Sequence, residues 1–328
     1  MRQLTLQEFR ERLDRFDRAV ARTPDVDRFC SASCWAMPAF EALSPDHELW
    51  AWQASKTEGF VALCKGSHPR VGRYMQPLEA SWGLASPFVG EDIVGVTREF
   101  ICEARRLSDE WDILFLTGIS EDSRQFEELV RGFQADHFMG IGPSMGRQYA
   151  SLEGGLDGFL ARRSSKFRAN MRRALRDAQT AGVEYEFLSN FDTAGDCERV
   201  FERIIAIERQ SWKGRQGVGI AQGRMYDFYK SMLPCLAEKD ALRVTFASVD
   251  DVDIAYCFGG LFQQTYRGLQ MSYHQKYSEH SPGNIVQLEM INHLYAEGID
   301  VYDMGQSMDY KSSWTDGEFE TVAVIVRR

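Results

Sequence analysis

Apolar residues recur along the chain with two alternating spacings, one typical of helices and one typical of strands. Residues 6–21 carry apolar side chains at Leu6, Phe9, Leu13, Phe16 and Val20, which predicts a helix with one packed face. Further helices are predicted at residues 92–106, 123–133, 159–181, 194–208, 223–236 and 282–297. Strands are predicted at residues 47–54, 59–64, 76–82, 112–118, 145–152, 183–188, 242–249, 254–262, 265–273, 300–304 and 321–326.

This order of elements predicts an α/β (α+β) fold in which mixed, mostly antiparallel sheets are flanked by helices. The glycine-rich step at residues 153–158 is a candidate boundary, and it divides the chain into residues 1–152 and 153–328. Both parts show a similar sequence of helices, hairpin strands and a further helix before the closing strands. We therefore expect two similar domains in tandem, as the length of 328 residues also suggests.

Composition narrows the class of protein. The formal net charge of -10 argues against a protein that binds DNA through general electrostatics. The N-terminus interleaves charges where a signal peptide needs an apolar segment, and no stretch reaches the roughly 18 apolar residues of a membrane span. The 7 cysteines are dispersed and form no CxxC pair, so we expect reduced thiols in a cytoplasmic protein, with no metal site and no membrane insertion.

The segment Ser281-Pro-Gly-Asn284 opens the predicted helix at residues 282–297. Ser281 suits the N-cap position and Pro282 the first helical position. The amides of Gly283 and Asn284 would then stand at the positive end of the helix dipole, where a phosphate or carboxylate binds. Gly283 would allow a ligand to approach the backbone closely. The alternative is that this segment only starts a helix.

Ionisable groups follow the next strand, in Tyr302-Asp303-Met-Gly305 and Tyr310-Lys311. Asp303 could accept a proton from an amine nucleophile or orient the group that does, or it could simply cap the next turn. Lys311 could pair with a phosphate or neutralise a developing oxyanion. Tyr310 could protonate a leaving thiolate or alkoxide, which completes a candidate catalytic set of Asp303, Tyr310 and Lys311.

Two further segments supply candidate binding residues. A basic run extends from Arg162 to Arg176, and helical spacing aligns Arg168, Arg172 and Arg176 in one stripe that could contact the phosphates of CoA or of an RNA. Its alternative is a solvated face. A predicted helix ends near Glu208, Trp212 and Lys213, and a glycine-rich segment that could close over a substrate follows it. A second segment, with Tyr273 and His274, precedes the helix that begins after Ser281. These five residues are candidate substrate contacts.

Together these motifs resemble the CelD/BcsL-type acetyltransferases of the GNAT superfamily, which are related to the FemABX aminoacyl transferases. The resemblance rests on residues 164–173, on Glu208-x-x-Ser-Trp212-Lys213, on Ser281-Pro-Gly283 and on Tyr302-Asp303-x-Gly305 with Tyr310-Lys311. It implies tandem GNAT-like domains, with acyl transfer in a cleft of the C-terminal one. The GNAT loop that binds CoA pyrophosphate is represented here by Gly283 alone.

The resemblance implies an N-acyltransferase that moves an acyl group from a phosphate-bearing donor to a small-molecule or peptide amine. The donor would be acyl-CoA, a co-substrate rather than a permanently bound cofactor, held by Ser281, Gly283, Asn284, Arg168 and Arg172. Two alternatives stay open. One is a FemABX-like transferase that takes its acyl group from aminoacyl-tRNA, and the other is an inactive GNAT fold that serves as a scaffold in polysaccharide assembly.

Overall fold

The computed structural model describes the backbone of Met1–Arg328 and the side chains of all of these residues except Ala194. The chain divides into two compact units, one formed by Met1–Gly146 with Glu320–Arg328 and the other by Arg147–Phe319. The boundary proposed from sequence, between residues 152 and 153, lies shortly after this division. The return of the C-terminal residues to the first unit has no counterpart in the sequence pattern.

The first unit contains a mixed sheet and six helices among the residues described. Its helices are α1 (Leu6–Arg10), α2 (Leu13–Arg22), α3 (Arg28–Ser31), α4 (Ser33–Leu43), α5 (Ile93–Arg106) and α6 (Arg124–Phe133). Its strands are β1 (Arg2–Leu4), β2 (Glu48–Gln53), β3 (Gly59–His68), β4 (Gly72–Pro77), β5 (Phe88–Gly90) and β6 (Ile113–Ile119). Strands β7 (Phe138–Ser151) and β13 (Gly317–Arg327) belong partly to each unit. The order is β1-β2-β3-β4-β6-β13, with β5 beside β3, and only the β4–β6 pair of those described is parallel.

Local sequence explains where the first helices begin and why one was missed. The predicted helix at residues 6–21 is broken into α1 and α2, and α1 starts with a capping box in which Thr5 and Glu8 bond each other's backbone amides. Helix α4 was not predicted because its residues from Ser33 to Phe40 are all buried. A helix that is apolar on every side carries no amphipathic period in its sequence.

The second unit holds the remaining elements. Its helices are α7 (Gly155–Ala161), α8 (Ser165–Thr180), α9 (Ala194–Gln210), α10 (Trp212–Arg215), α11 (Gly223–Glu238) and α12 (Pro282–Ala296). Its strands are β8 (Glu184–Leu188), β9 (Leu242–Val249), β10 (Val252–Phe262), β11 (Thr265–Tyr273) and β12 (Val301–Gln306). The order is β7-β12-β11-β10-β9-β8, and of the pairs described only β11–β12 is parallel.

The parallel pair requires a crossover, and α12 provides it. Adjacent residues of β10 show how the helices are placed, because neighbouring side chains of a strand point to opposite faces. Tyr256 bonds Glu208 of α9, whereas Cys257 belongs to the core cluster that includes Val286 and Leu288 of α12. The sheet of this unit is therefore covered by α9 on one face and by α12 on the other.

The predicted fold class is confirmed: each unit is a mixed, mostly antiparallel sheet flanked by helices. Further element boundaries differ from the prediction. The predicted helix at residues 159–181 is divided into α7 and α8, because Ser164 caps the amide of Phe167 and starts a new helix. The predicted strand at residues 76–82 is instead β4, which ends at Pro77. No helix among the described residues is long and apolar enough to cross a membrane.

Candidate functional site

The parallel strands β11 and β12 pair for only a short distance and then separate. Their register runs from Thr265 and Val301 to Arg267 and Asp303. Beyond these residues, a cleft lies between the strands and encloses about 450 Å³ of empty space, counting the part open to solvent. The edge of β11 that faces β12 is thus free of strand pairing in the cleft, so its backbone groups are available to other donors and acceptors.

Asp303 and Gly305 form the kink at which β12 leaves its partner. Gly305 has a φ of +72°, which a glycine adopts without strain, and the pairing of β12 with β7 is irregular between Asp303 and Gln306. The carboxylate Oδ1 of Asp303 accepts a hydrogen bond of 2.8 Å from the amide of Gly305. This Asp-x-Gly motif therefore fixes the bend that opens the cleft.

The other oxygen of Asp303 lies between two arginines. Arg147 Nη1 donates to Oδ2 at 2.7 Å and Arg267 Nη2 donates to it at 3.0 Å. Asp303 is 2% exposed. Because both of its oxygens are engaged and it is shielded from solvent, the structure favours a positioning role for Asp303 over the proton acceptor considered from sequence.

Lys311 lies at the β12 side of the cleft. Its ammonium donates to the carbonyl oxygens of Met304 and Gln306, each at 2.7 Å, so the kinked strand holds it in place. One of its three N–H donors is left for a ligand. Burial lowers the pKa of Lys311 to about 8; the cations Arg267 and Lys213 add to this effect, and Asp303 opposes it.

Lys213 has the equivalent position at the β11 side. Its ammonium donates to the carbonyl oxygen of Met271 and to Oε1 of Gln270, both at 3.1 Å. Burial lowers the pKa of Lys213, and the carboxylate of Glu208 opposes this shift. Lys213 thus contacts two residues that line the cleft, whereas Lys311 lines the cleft itself, and each ammonium is held by neutral carbonyl or amide oxygens.

Glu208 anchors the segment that carries Lys213. This segment, residues 211–222, is called the strap below. Glu208 is fully buried; it accepts a hydrogen bond of 3.0 Å from the hydroxyl of Tyr256 and one of 3.4 Å from the amide of Ile220. Gly219 has a φ of +103°, and a Cβ at this position would lie 2.3 Å from Oε1 of Glu208. Glu208 therefore fixes the strap rather than facing the cleft as a substrate contact.

The lining of the cleft is apolar apart from a few amides, backbone groups and Lys311. The residues that surround it are Cys257, Gly268, Leu269, Gln270, Met271, Gln287, Tyr302, Met304, Tyr310, Lys311 and Trp314. Among these described residues there is no carboxylate. Gln287 of α12 is 8% exposed, and its amide nitrogen lies 4.0 Å from the sulfur of Met304, a weak acceptor.

Large aromatic side chains stand exposed near these residues. Tyr310 lines the cleft and is 62% exposed, and Trp212, next to Lys213 on α10, is 48% exposed. An exposed ring next to a buried ammonium is a suitable surface for the flat or apolar part of a ligand. The phenol of Tyr310 is free to approach a leaving group there.

The start of α12 is built differently from the prediction. Ser281 has a left-handed conformation with a φ of +51° and makes no side-chain cap, so the predicted serine cap is not formed. Its carbonyl oxygen accepts the amide of Asn284 at 3.0 Å. A Cβ on Gly283 would lie 2.8 Å from Sδ of Met271 and 3.2 Å from the ring of Tyr273. The absent side chain therefore lets α12 pack closely on β11, which leaves less room for a ligand at Gly283.

His274 closes the turn between β11 and α12. Its ring nitrogen Nδ1 accepts a hydrogen bond of 3.1 Å from the amide of Lys276, and the ring packs edge-on against Tyr277. These contacts give His274 a local role in shaping residues 275–280. Helix α8 contacts both this turn and α12.

Some arginines of the predicted basic run make contacts within the protein, and others are exposed to solvent. Arg163 is buried and pairs with Asp316 at 2.6 Å, and Arg168 donates to the carbonyl of Arg163 at 2.5 Å while staying partly exposed. Arg172 and Arg176 are exposed and form no ion pair among the described residues. The free guanidinium groups of this face can bind phosphate.

Four residues with polar side chains in this region were not among the candidates predicted from the sequence. They are Arg147 and Arg267, which hold Asp303, and Gln270 and Gln287, which line the cleft. The Asp-x-Gly motif at the end of a buried strand was a signal that the carboxylate needed partners. No spacing in the sequence identified Arg147, which is separated from Asp303 by 156 positions.

Comparisons with known proteins agree with this architecture. Residues 165–312 match the family model described as an acetyltransferase (GNAT) domain. The structure named FemX is similar over 98% of this chain and 97% of its own, with a TM-score of 0.67 and 11% identity. A conserved protein of unknown function from Bacteroides thetaiotaomicron is similar over 96% and 97% of the two chains, with a TM-score of 0.58 and 12% identity. No curated protein is detectably similar in sequence.

A further similar structure is the C-terminal domain of a putative lysylphosphatidylglycerol synthetase from Agrobacterium fabrum, with a TM-score of 0.58 and 12% identity over 97% and 92% of the two chains. At such low identities these likenesses concern the fold alone. The range that matches the GNAT domain model contains α8, the strap, Lys311 and the residues that line the cleft except Trp314. The narrower resemblance to the CelD/BcsL type stays a prediction.

Proposed function

We propose that the protein is an N-acyltransferase that moves an acyl group from acyl-CoA to an amine in the cleft between β11 and β12. The observation that carries this proposal is the separation of two parallel strands next to a held ammonium, Lys311. An extended donor arm can add its own hydrogen bonds to the free edge of β11. The thioester carbonyl would then lie within reach of the remaining N–H donor of Lys311.

In the proposed reaction, the neutral amine of the acceptor attacks the thioester carbonyl carbon. The C–N bond forms, the C–S bond breaks, and the proton lost by nitrogen ends on the thiolate, for which the phenol of Tyr310 is the candidate donor. Lys311 would stabilise the oxyanion that develops between these steps. Binding both substrates in one cleft would supply much of the remaining rate enhancement.

The charge of the region explains how the amine could be deprotonated although Asp303 is engaged. Lys311, at the cleft, interacts electrostatically with the cations Arg267 and Lys213. A positive field lowers the pKa of a bound ammonium and so favours the neutral, nucleophilic amine. We propose that the donor phosphates bind the exposed guanidinium groups of α8 near the 275–280 turn, and that Trp212 and Tyr273 face the acceptor.

A second candidate function is transfer from aminoacyl-tRNA. The exposed arginines of α8, in a chain of net charge -10, favour it because they could bind an RNA backbone. One structure of similar fold is the C-terminal domain of a putative lysylphosphatidylglycerol synthetase, a name that implies an aminoacylated product. This second candidate function uses a different acyl donor from the first but the same cleft.

One experiment separates the two. Purified protein is given acetyl-CoA, a longer acyl-CoA or aminoacyl-tRNA with a panel of amines, and free thiol and acylated product are both measured. We expect thiol release that depends on the amine and is unaffected by RNase. Lys311→Ala should reduce it by roughly 100-fold, whereas Lys230→Ala, a change of an exposed lysine on α11, should not. Product formation only with aminoacyl-tRNA, abolished by RNase, would overturn the acyl-CoA proposal.

A further inference from the structure

The segment that joins β12 to β13 forms one wall of the cleft. It comprises residues 307–316, called the connecting segment below, and three of its side chains, those of Tyr310, Lys311 and Trp314, line the cleft. A short 3-10 helix at Asp309–Ser313 gives it some local structure. Because Lys311 is the proposed donor to the oxyanion, its position depends on what holds this segment in place.

The end of the connecting segment is bonded to Lys311 within the segment itself. The carbonyl oxygen of Lys311 accepts the amide of Trp314 at 2.7 Å and the hydroxyl of Thr315 at 3.3 Å. The buried ring of Trp314 packs against Phe159 and Phe167, with centroid distances of 5.9 and 5.0 Å. A displacement of Trp314 or Thr315 would therefore move the backbone of Lys311.

Arg163 holds this end of the connecting segment from outside it. Its Nη1 donates to the carbonyl oxygen of Thr315 at 2.5 Å, and its Nη2 donates to Oδ1 of Asp316 at 2.6 Å. The guanidinium carbon also lies 4.5 Å from the ring centroid of Phe159. Oδ2 of Asp316 accepts the amide of Ser151 at 2.9 Å, so the carboxylate is itself anchored to β7. Arg163 thus binds two consecutive residues of the segment with the two ends of its guanidinium.

The burial of Arg163 is costly for a residue that only stabilises the fold. Arg163 is 6% exposed, and its Nε is buried without a hydrogen-bond partner in the part of the chain that the structure describes. Burial lowers the pKa of Arg163, and the charge of Asp316 opposes this shift. Apolar residues of similar volume often stabilise a core as well as a buried ion pair does. The planar guanidinium instead gives the groups that it binds a defined geometry.

We infer that Arg163 is a positioning residue, which together with Asp316 holds the connecting segment so that Lys311 faces the cleft. This inference rests on the proposed acyltransferase function, in which Lys311 stabilises the oxyanion. Arg163 also directly precedes Ser164, the N-cap of α8, and its carbonyl oxygen accepts Nη1 of Arg168 at 2.5 Å. One residue thus links the helix proposed to bind the donor phosphates with the ammonium proposed to act on the thioester carbonyl.

Loss of this anchor should expose Lys311 to solvent, and the pKa of its ammonium reports the change. Burial lowers this pKa to about 8 in the intact protein. The charged and titratable groups around the ammonium are Arg267, Lys213, Asp303 and Tyr310. Trace labelling of lysines with acetic anhydride over a range of pH, read by peptide mass spectrometry, measures the pKa of Lys311 without requiring turnover. In Arg163→Met we expect a pKa above about 9, since an exposed lysine titrates near 10.4.

Kinetics should show a matching change in the proposed reaction. In Arg163→Met we expect kcat to fall at least about tenfold because Lys311 is misplaced, while KM for the donor changes by less than about threefold. The decline of kcat/KM with pH should move upward together with the pKa of Lys311. Asp316→Asn keeps an oxygen for the amide of Ser151 but removes the charge partner of Arg163. It should shift the pKa of Lys311 in the same direction, and it serves as the test if Arg163→Met does not fold.

Arg243→Met is the matched control. Arg243 is 7% exposed and, like Arg163, it bonds a carboxylate, that of Glu297 at 2.7 Å, together with backbone carbonyl oxygens. It lies at the start of β9 and is not among the described residues that line the cleft. Arg243→Met should therefore lower the melting temperature about as much as Arg163→Met, with the pKa of Lys311 and kcat unchanged.

The outcomes that contradict the inference differ from those that contradict the proposed function. A pKa of Lys311 that stays near 8 in folded Arg163→Met or Asp316→Asn would overturn the positioning role, and so would an equal rise in Arg243→Met. If the wild-type protein acylates no amine but the pKa of Lys311 rises as expected, the proposed function fails and the anchoring of Lys311 by Arg163 stands.

Discussion

Asp303 reaches Gly305, two positions further along its own strand, by a hydrogen bond of 2.8 Å from the Gly305 amide to the Asp303 carboxylate. The same carboxylate receives Arg147 and Arg267 on its second oxygen. The Asp303 side chain thus stabilises the left-handed kink at Gly305 and also offsets part of the positive charge of Arg147 and Arg267. The bend of β12 and the charge of the cleft are therefore physically linked.

Replacing Asp303 by Asn tests this link. The amide keeps an oxygen for the Gly305 amide but removes the negative charge that Arg147 and Arg267 share. We expect the free energy of unfolding to fall by about 3–5 kcal/mol, measured by urea denaturation monitored by fluorescence. Asp300→Asn, at an exposed position in the turn before β12, should change stability by less than about 0.5 kcal/mol. Equal stability of the two variants would contradict the role given to Asp303.

Two glycines with nearly the same φ allow backbone strain to be separated from an effect on function. Gly305 has a φ of +72° and Gly298, after the end of α12, has a φ of +77°; a Cβ would meet only contacts of 3.8 Å or more at the former and nothing within 4 Å at the latter. Alanine at either position should cost about 1–2 kcal/mol of stability through left-handed backbone strain. Only Gly305→Ala should also lower kcat/KM, because only that residue shapes the cleft. A matching loss of activity in Gly298→Ala would show that stability alone accounts for the effect.

The lowered pKa of Lys311 predicts a pH dependence. The oxyanion needs the protonated ammonium, so kcat/KM should fall as pH rises through about 8, the pKa of Lys311 in the folded protein. The groups that set this pKa besides burial are Arg267 and Lys213, which lower it, and Asp303, which raises it. In Lys311→Arg, which stays cationic throughout this range, the decline near pH 8 should disappear.

Stability should change in the opposite direction over the same range. An unfolded Lys311 titrates at its ordinary, higher pKa, so the unfolded chain binds more protons between pH 8 and about 10. The contribution of this group to the free energy of unfolding therefore rises with pH there, and activity falls. Parallel loss of activity and of stability above pH 8 would assign the decline in rate to unfolding instead.

The strap contains two glycines whose substitution by alanine should have different effects. Gly217 and Gly219 both have positive φ values, +70° and +103°. A Cβ on Gly219 would lie 2.3 Å from Oε1 of Glu208 and 3.2 Å from Cβ of Lys213, whereas one on Gly217 would meet only Gln222 Nε2 at 3.7 Å. Gly219→Ala should therefore displace the strap and Lys213.

The measurement is amide hydrogen exchange together with kinetics. Gly219→Ala should speed exchange in residues 211–222 and raise KM for the donor at least about fivefold, whereas Gly217→Ala should show only the stability loss of about 1–2 kcal/mol that left-handed alanine causes. Similar exchange in both variants would show that Glu208 does not hold the strap.

The sequence predicted the elements that have a clear period or a capping signal. Helices α5, α6, α9, α11 and α12 and the hairpin strands of the second unit were all expected near their observed positions. Helix α4 was not expected, because burial on every side removes the amphipathic pattern. The break between α7 and α8 was missed, although Ser164 is a recognisable capping residue.

The candidate site was predicted in its local motifs and not in its long-range contacts. Lys311, Tyr310 and Lys213 were named from short motifs, and the structure brings them to one region with the cleft. The motif around Asp303 carried no information about which arginines would bind it, because that depends on strand order. Gly283 was interpreted through its ligand-binding potential, yet Met271 and Tyr273 occupy the space beside it. Whether Gly283 binds a ligand or allows close packing depends on the residues of β11 that lie beside it, which the local sequence does not identify.

The path of the chain has a consequence for synthesis. Strand β13 pairs with β6, and its residues Val324 and Val326 complete the core of the first unit, although the whole second unit precedes them in the chain. The first unit therefore lacks one strand of its sheet until the second unit has been translated, and the edge of β6 stays unpaired until then. Nascent chains stalled before residue 320 should hold an incompletely folded first unit, and deletion of residues 320–328 should destabilise the unit that is translated first.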